Sequence, residues 1–175
     1  MAVFNLIQHT ELSGTASSFD KTSIPSTYDH LYFVASAKTD QVSWVDACEL
    51  TFNGVTGTSY GTTSIYGWAN PPVAADVTSY SSIKYIYVNA AEASSDDFAT
   101  IEIWIPNYAN TSNNTQILAQ WGWVGNDDTD NRWITGQTSG VFMNTAAIDQ
   151  FTLSAGGNNF VAHSTFTLYG INGAV

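Results

Sequence analysis

Positive charge is nearly missing from this chain of 175 residues. Lys21, Lys38, Lys84 and Arg132 stand against fifteen Asp and Glu, a formal net charge of −11. Binding to nucleic acid needs clustered Lys and Arg to displace counterions from phosphates, and four scattered cations build no such cluster. Anionic membrane surfaces are disfavoured on the same ground. Cysteine is limited to Cys48, so no intramolecular disulfide forms, and its Ala-Cys-Glu-Leu-Thr-Phe setting suits a small buried hydrophobe. No apolar run approaches the ~20 residues of a membrane-spanning helix. Residues 1–12 lack the basic start and apolar core of a signal peptide, which leads us to expect synthesis in a cytoplasm.

Helical patterning is also lacking. No stretch of about twelve residues carries an apolar stripe with a period of 3.6 and a cap at each end. What recurs instead is alternation with a period of two. Phe4–Leu12, Asp29–Ala37, Val42–Val45, Cys48–Phe52, Ile83–Val88, Phe98–Ile105, Thr115–Trp123, Arg132–Ile134, Ile148–Leu153 and Ser164–Tyr169 are the expected strands. In Asp29–Ala37 the alternation sets Leu31, Phe33 and Ala35 on one side and Tyr32 and Val34 on the other. Asn53–Gly54 signals a tight turn. Residues 55–82, rich in Gly, Ser, Thr and Tyr and broken by Asn70–Pro71–Pro72, read as a long loop with short strand fragments. Ala90–Ala93 allows one helical turn. Near the end, Gly156–Gly157–Asn158–Asn159 supplies the positive dihedrals of a reversal, which predicts an antiparallel pair between Phe151–Leu153 and Phe166–Ile171.

Eight or more strands at this spacing, with no internal repeat and no linker, predict an all-β chain. We expect a single-domain antiparallel β-sandwich, jelly-roll-like, over 1–175 with 55–82 as a loop-rich excursion.

Four segments carry a resemblance. Ser23–Leu31 reads SIPSTYDHL, Phe52–Tyr60 reads FNGVTGTSY, Asn144–Ile148 reads NTAAI, and Asn159–Ile171 reads NFVAHSTFTLYGI. In order and spacing they resemble a β-rich domain of tailed-bacteriophage virion proteins, of capsid-decoration or tail-fibre-head type. There a SIPxTYxHL strand entry precedes a FNGDTGSNY-like turn and the chain closes on NFAAGSxFSLYGI. Val55 stands where the family often has an acidic residue, and Ala162–His163 replaces Ala-Gly. The shared residues form structure and include no catalytic set, so the resemblance implies a place on a virion and no chemistry.

Chemistry-bearing clusters are sparse. His9, His30 and His163 are far apart, without the close ligand spacing of a zinc site. Gly125–Arg132 gathers Asp127, Asp128 and Asp130 in a turn between Trp-bearing segments; oxygen donors there suit calcium, but the Gly and Glu of an EF-hand loop are missing and a plain solvated turn is the favoured reading. Asp96–Asp97 has the same two readings. Glu102 and Glu49 occupy outward strand positions that alternation explains without acid–base work. No nucleophile elbow or phosphate loop occurs. We expect no catalytic residue, no metal and no cofactor.

Trp121 and Trp123, two apart, share one strand face, and Trp133 is near. With Asp127, Asp128 and Asp130 they compose the candidate ligand-binding set, either a platform for a host-surface glycan or aromatics that fill the core or an oligomer interface. The expected function is a non-enzymatic virion structural protein, a capsid decoration (cement) protein on the particle surface. Its expected partners are itself, as a homotrimer, and the major capsid protein or another virion protein. The alternative is a tail-fibre or receptor-binding head domain that recognises host glycan.

Overall fold

The computed structural model describes residues 3–67, 73–127 and 130–173, with the backbone alone described at 73, 75–79, 126–127 and 130–133. Twelve strands form two antiparallel sheets packed as a β-sandwich. They are β1 Val3–Glu11, β2 Ser18–Lys21, β3 His30–Ala37, β4 Val45–Phe52, β5 Tyr60–Gly67, β6 Val73–Tyr80, β7 Ile83–Asn89, β8 Ala99–Pro106, β9 Thr115–Asp127, β10 Asp130–Phe142, β11 Phe151–Ser154 and β12 Thr165–Asn172. No helix occurs among the described residues, and 90–93 is a turn closed by Ala93 N–H donating to Ala90 O at 3.1 Å.

The large sheet has the order β1-β12-β3-β8-β9-β10-β5-β6 and the small one β2-β11-β4-β7. Take the meander β8–β10 as one broad member and count eight members from β2 to β11. The small sheet then runs first, eighth, third, sixth, and the large sheet second, seventh, fourth, fifth. This is the strand order of a jelly roll. The β1–β12 pair widens the large sheet beyond β3.

Alternation builds the interior. Leu31, Phe33, Ala35 and Ala37 of β3 and Ala99, Ile101, Ile103 and Ile105 of β8 are all buried, while Tyr32, Val34, Glu102 and Trp104 point away from the core. Phe19, Phe33, Phe151 and Phe166, from both sheets, form the centre, with Phe33–Phe151 centroids at 4.8 Å and Phe19–Phe166 at 5.4 Å. Each fully buried ring of this kind contributes about 1.5–3 kcal/mol. Cys48 is fully buried in β4, and burial pushes its thiol well up.

Two expectations are corrected. Residues 55–82 are not a loop: β5 and β6 pair over Tyr60–Tyr66 and Val73–Tyr80 within the large sheet. Their composition misled because β5 buries hydroxyls, Thr62 and Ser64, where apolar side chains would be expected. Likewise β11 and β12 do not pair with each other. β11 lies between β2 and β4, and β12 between β1 and β3. Gly156 and Gly157 do take positive φ, 64° and 109°, but the reversal carries the chain from one sheet to the other.

The loops at one end of the roll are interlocked. Asn53, at φ 54°, precedes Gly54 at 64° in a left-handed turn. Its Nδ2 donates to Ala147 O at 2.8 Å, and its Oδ1 accepts from Asp149 N at 2.9 Å and Gln150 N at 3.2 Å. Ile24 N donates to Asp149 O, and the Tyr108 hydroxyl donates to Pro25 O. Gly170 leaves room for the Tyr28 ring, which a Cβ there would meet at 2.3 Å. The four quoted segments contribute Asn53, Tyr28, Ile24, Ala147 and Gly170 to this end.

Candidate functional site

Trp121 and Trp123 do share one face of β9, and that face is the interior: they are 2% and 4% exposed. Trp121 packs edge-on against Tyr87 at 5.0 Å and beside Tyr66 at 5.7 Å. Gly136, opposite it on β10, has no Cβ, which would fall 2.2 Å from the indole. Trp121 Nε1 donates to Thr138 Oγ1 at 3.0 Å, Thr138 Oγ1 donates to Tyr85 O at 2.6 Å, and Ser64 Oγ lies 3.1 Å away. The residual cavity between Trp121, Trp123, Val45, Tyr66, Tyr87 and Ile134 is ≈10 Å³, at most the volume of one water. A stacking platform needs an open ring face, and neither indole has one.

The acidic members of the candidate set are less fully placed. Asp127 and Asp130 face each other as the last register pair of the β9–β10 hairpin. Asp128 and the side chains of Asp127, Asp130 and Trp133 lie outside the described residues. Among the described residues no three His, Cys, Asp or Glu side chains group around one point. His9 Nδ1 is 2.8 Å from Thr167 Oγ1, His30 Nδ1 accepts from Asn107 N at 3.1 Å, and His163 lies 3.9 Å from Glu11. Glu49 pairs with Lys84 at 2.7 Å and accepts from Ser82.

Polar chemistry collects at the roll's other end, in an open groove of ≈610 Å³ lined in part by Lys38, Asp40, Asp96, Phe98 and His163. Its one cation is spent on structure: Lys38 is 6% exposed, and its Nζ donates to Ala93 O at 2.9 Å and Ser94 O at 2.6 Å. Burial lowers its ammonium pKa, and Asp97 and Asp96 oppose that shift. Asp40 is held by Asn159, whose N and Nδ2 donate to its two oxygens at 2.8 and 2.9 Å.

An outward aromatic surface does exist, on strands that sequence reasoning did not combine. Across the outer face of the large sheet, register aligns Leu6, Tyr169, Tyr32, Trp104 and Leu118 in one row. Leu6 is 61% exposed and Leu118 39%. Phe4, 55% exposed, stands edge-on to Tyr32 at 5.8 Å and Tyr169 at 5.9 Å, and Trp104 meets His30 at 5.1 Å and Tyr32 at 6.2 Å. The next row runs Thr167, Val34, Glu102, Gln120, Gln137 and Ile65. Burial, then the adjacent Glu102, raises the Tyr32 hydroxyl pKa. Alternation in β8 marks Trp104 as outward; its company depends on the non-sequential order β1-β12-β3-β8.

No protein-family model matches this chain, and no curated protein matches it in sequence. The resemblance to virion proteins rests on the four segments quoted above.

Proposed function

We propose that this chain is a non-enzymatic bacteriophage virion structural protein, an oligomeric capsid decoration (cement) protein on the particle surface. One observation carries the reading: an uncharged row of Leu6, Tyr169, Tyr32, Trp104 and Leu118 lies across the outer face of a jelly-roll sheet. Exposed apolar surface of this kind marks an assembly contact, and interface cores are depleted in charge and enriched in aromatics. Four segments like those of virion proteins point to the particle, and all four contribute to one end of the roll. Cementing then works by burying this surface between copies of the chain, as a homotrimer, and against capsid subunits. The test is to separate DNA-filled heads from tails and probe each for the protein. Its presence on heads is expected; presence in tails and absence from heads overturns the reading.

The second reading is a tail-fibre or receptor-binding head domain that takes host glycan. What favours it is the same face: Trp104 and Tyr32 lie beside Glu102 and Gln120, a combination of ring stacking and hydrogen bonding suited to sugars. A glycan array with hits that Trp104→Ala removes would establish it, and an array without hits would end it.

A further inference from the structure

We infer that the β1 edge of the large sheet, with the outward aromatic row beside it, is the surface through which copies of this chain hold one another. The inference rests on the assembly reading above and names the contact.

Three observations converge on a second copy as the occupant. The first is electrostatic. Every copy carries a formal net charge of −11, so copies approach only where the surface is locally neutral. The rows through Phe4 and Leu6 hold no carboxylate from β1 to β8, and Glu102 is the one acid in the row beyond. A basic partner would be matched by the acidic remainder of the surface and not by this gap in it.

The second is the edge itself. β1 is the outermost strand of its sheet, so half of its backbone N–H and C=O groups face outward unpaired by the sheet. Val3, Phe4 and Leu6 are 52%, 55% and 61% exposed, and Val3–Leu6 contains no Lys, Pro or acid to blunt the edge. A register shift between Leu6 and Gln8 interrupts the strand. Bulges of this kind end a flat pairing template, so the available edge is confined to Val3–Leu6.

The third is area. Five strands about 4.8 Å apart and about eight residues at ~3.3 Å rise make a face of roughly 600 Å² before side-chain relief. A specific interface takes about 800 Å² per partner. The face and the adjoining edge together reach that range, whereas Phe4 and Leu6 alone do not. In a closed threefold ring each contact is heterologous, so the β1 edge of one copy meets the aromatic row of the next, and both patches are present on every copy.

The experiment measures mass by light scattering on the full chain, wild type against the double variant Phe4→Ser, Leu6→Ser, with thermal unfolding and circular dichroism alongside. Both side chains are largely solvent-exposed in the single chain, so an unchanged β-sheet spectrum is expected. The wild type is expected as a trimer, and the variant as a monomer with its dissociation constant raised at least tenfold. Thr63→Val, on the far side of the same face, is expected to leave the trimer intact. A monomeric wild type, or a variant that stays trimeric, overturns the inference. Should the double variant misfold, Leu6→Gln alone decides, with the same two outcomes. The head-and-tail fractionation is independent: a monomer found on heads defeats this contact and leaves the cement reading standing.

Discussion

At the scale of single residues, buried hydroxyls decide more than the aromatics they serve. Thr138 is fully buried and its Oγ1 joins Trp121 Nε1, Tyr85 O and Ser64 Oγ. Tyr85 itself sits at φ 63°, costly for a bulky residue, so its carbonyl is aimed by strain that this contact helps to hold. Thr138→Val keeps the shape and strands an indole N–H and a carbonyl in the core. The expected loss is about 2–4 kcal/mol in urea unfolding, since each unsatisfied group costs about 1–3 kcal/mol. Thr138→Ser keeps the hydroxyl and should lose about 1 kcal/mol, from one missing methyl. Equal losses for the two variants would show that packing, not hydrogen bonding, dominates. A second residue-scale prediction concerns acid. The Asn159 side-chain and backbone donors hold the Asp40 carboxyl below its usual range. Its support for the 38–44 and 155–164 loops is therefore complete above about pH 4 and is lost as pH falls through the depressed value. A carboxyl titration by NMR should place Asp40 below the ordinary aspartate range, and Asn159 amide exchange should rise with acid only while Asp40 is present. An ordinary Asp40 titration would refute the tie.

At the scale of elements, what was legible follows from what each strand buries. β3 and β8 bury Leu, Phe, Ala and Ile on alternate positions, so their limits were read to within one residue and the two sides of β3 were separated correctly. β5 and β10 bury Thr62, Ser64 and Thr138 and bring Gly140 against Ile83 and Gly136 against Trp121. Their period of two is written in hydroxyls and absent side chains, and hydrophobicity alone passes over it. That is why 55–82 looked like a loop and β10 shrank to Arg132–Ile134. β2 is four residues with one buried ring, Phe19, too short for any pattern. The parity of Trp121 and Trp123 was legible, but the side facing the core was not, because Tyr66, Tyr87 and Gly136 come from other strands. The Asn53–Gly54 turn was legible as a turn; its partner, the 147–150 loop, is distant in sequence. Two variants separate the turn's backbone and side-chain roles. Asn53→Gly retains the left-handed conformation and loses three hydrogen bonds, for about 1–3 kcal/mol. Asn53→Ala loses the same bonds and adds about 1 kcal/mol or more for a Cβ at positive φ. Paired denaturant melts should rank wild type above Gly above Ala; Ala at or above Gly would mean the turn relaxes out of the left-handed region.

For the whole molecule, charge and shape pull against each other. A formal net charge of −11 on 175 residues keeps single copies apart, while in the proposed contact the neutral row on the large sheet would draw them together. The two forces differ in range. Repulsion between copies acts over the Debye length, ~30 Å at 0.01 M salt and ~8 Å at physiological ionic strength. Contact between apolar side chains acts over a few ångström and is little changed by such salt. Raising sodium chloride from about 0.01 M to about 0.15 M therefore screens the repulsion and leaves the attraction. Self-association should strengthen, and light scattering at fixed protein concentration should show mean mass rising toward the trimer. The opposite response has an equally definite meaning. If salt dissociates the assembly, ion pairs hold it, and the contact must involve Lys21 or another of the four basic residues rather than Phe4 and Leu6. The same screening bears on a capsid surface: decoration at low salt must overcome mutual repulsion at −11 per copy, through apolar contact or through opposite charge on the lattice. Attachment to heads measured across the same salt range then separates a copy–copy contact, which salt strengthens, from a charged lattice contact, which salt weakens.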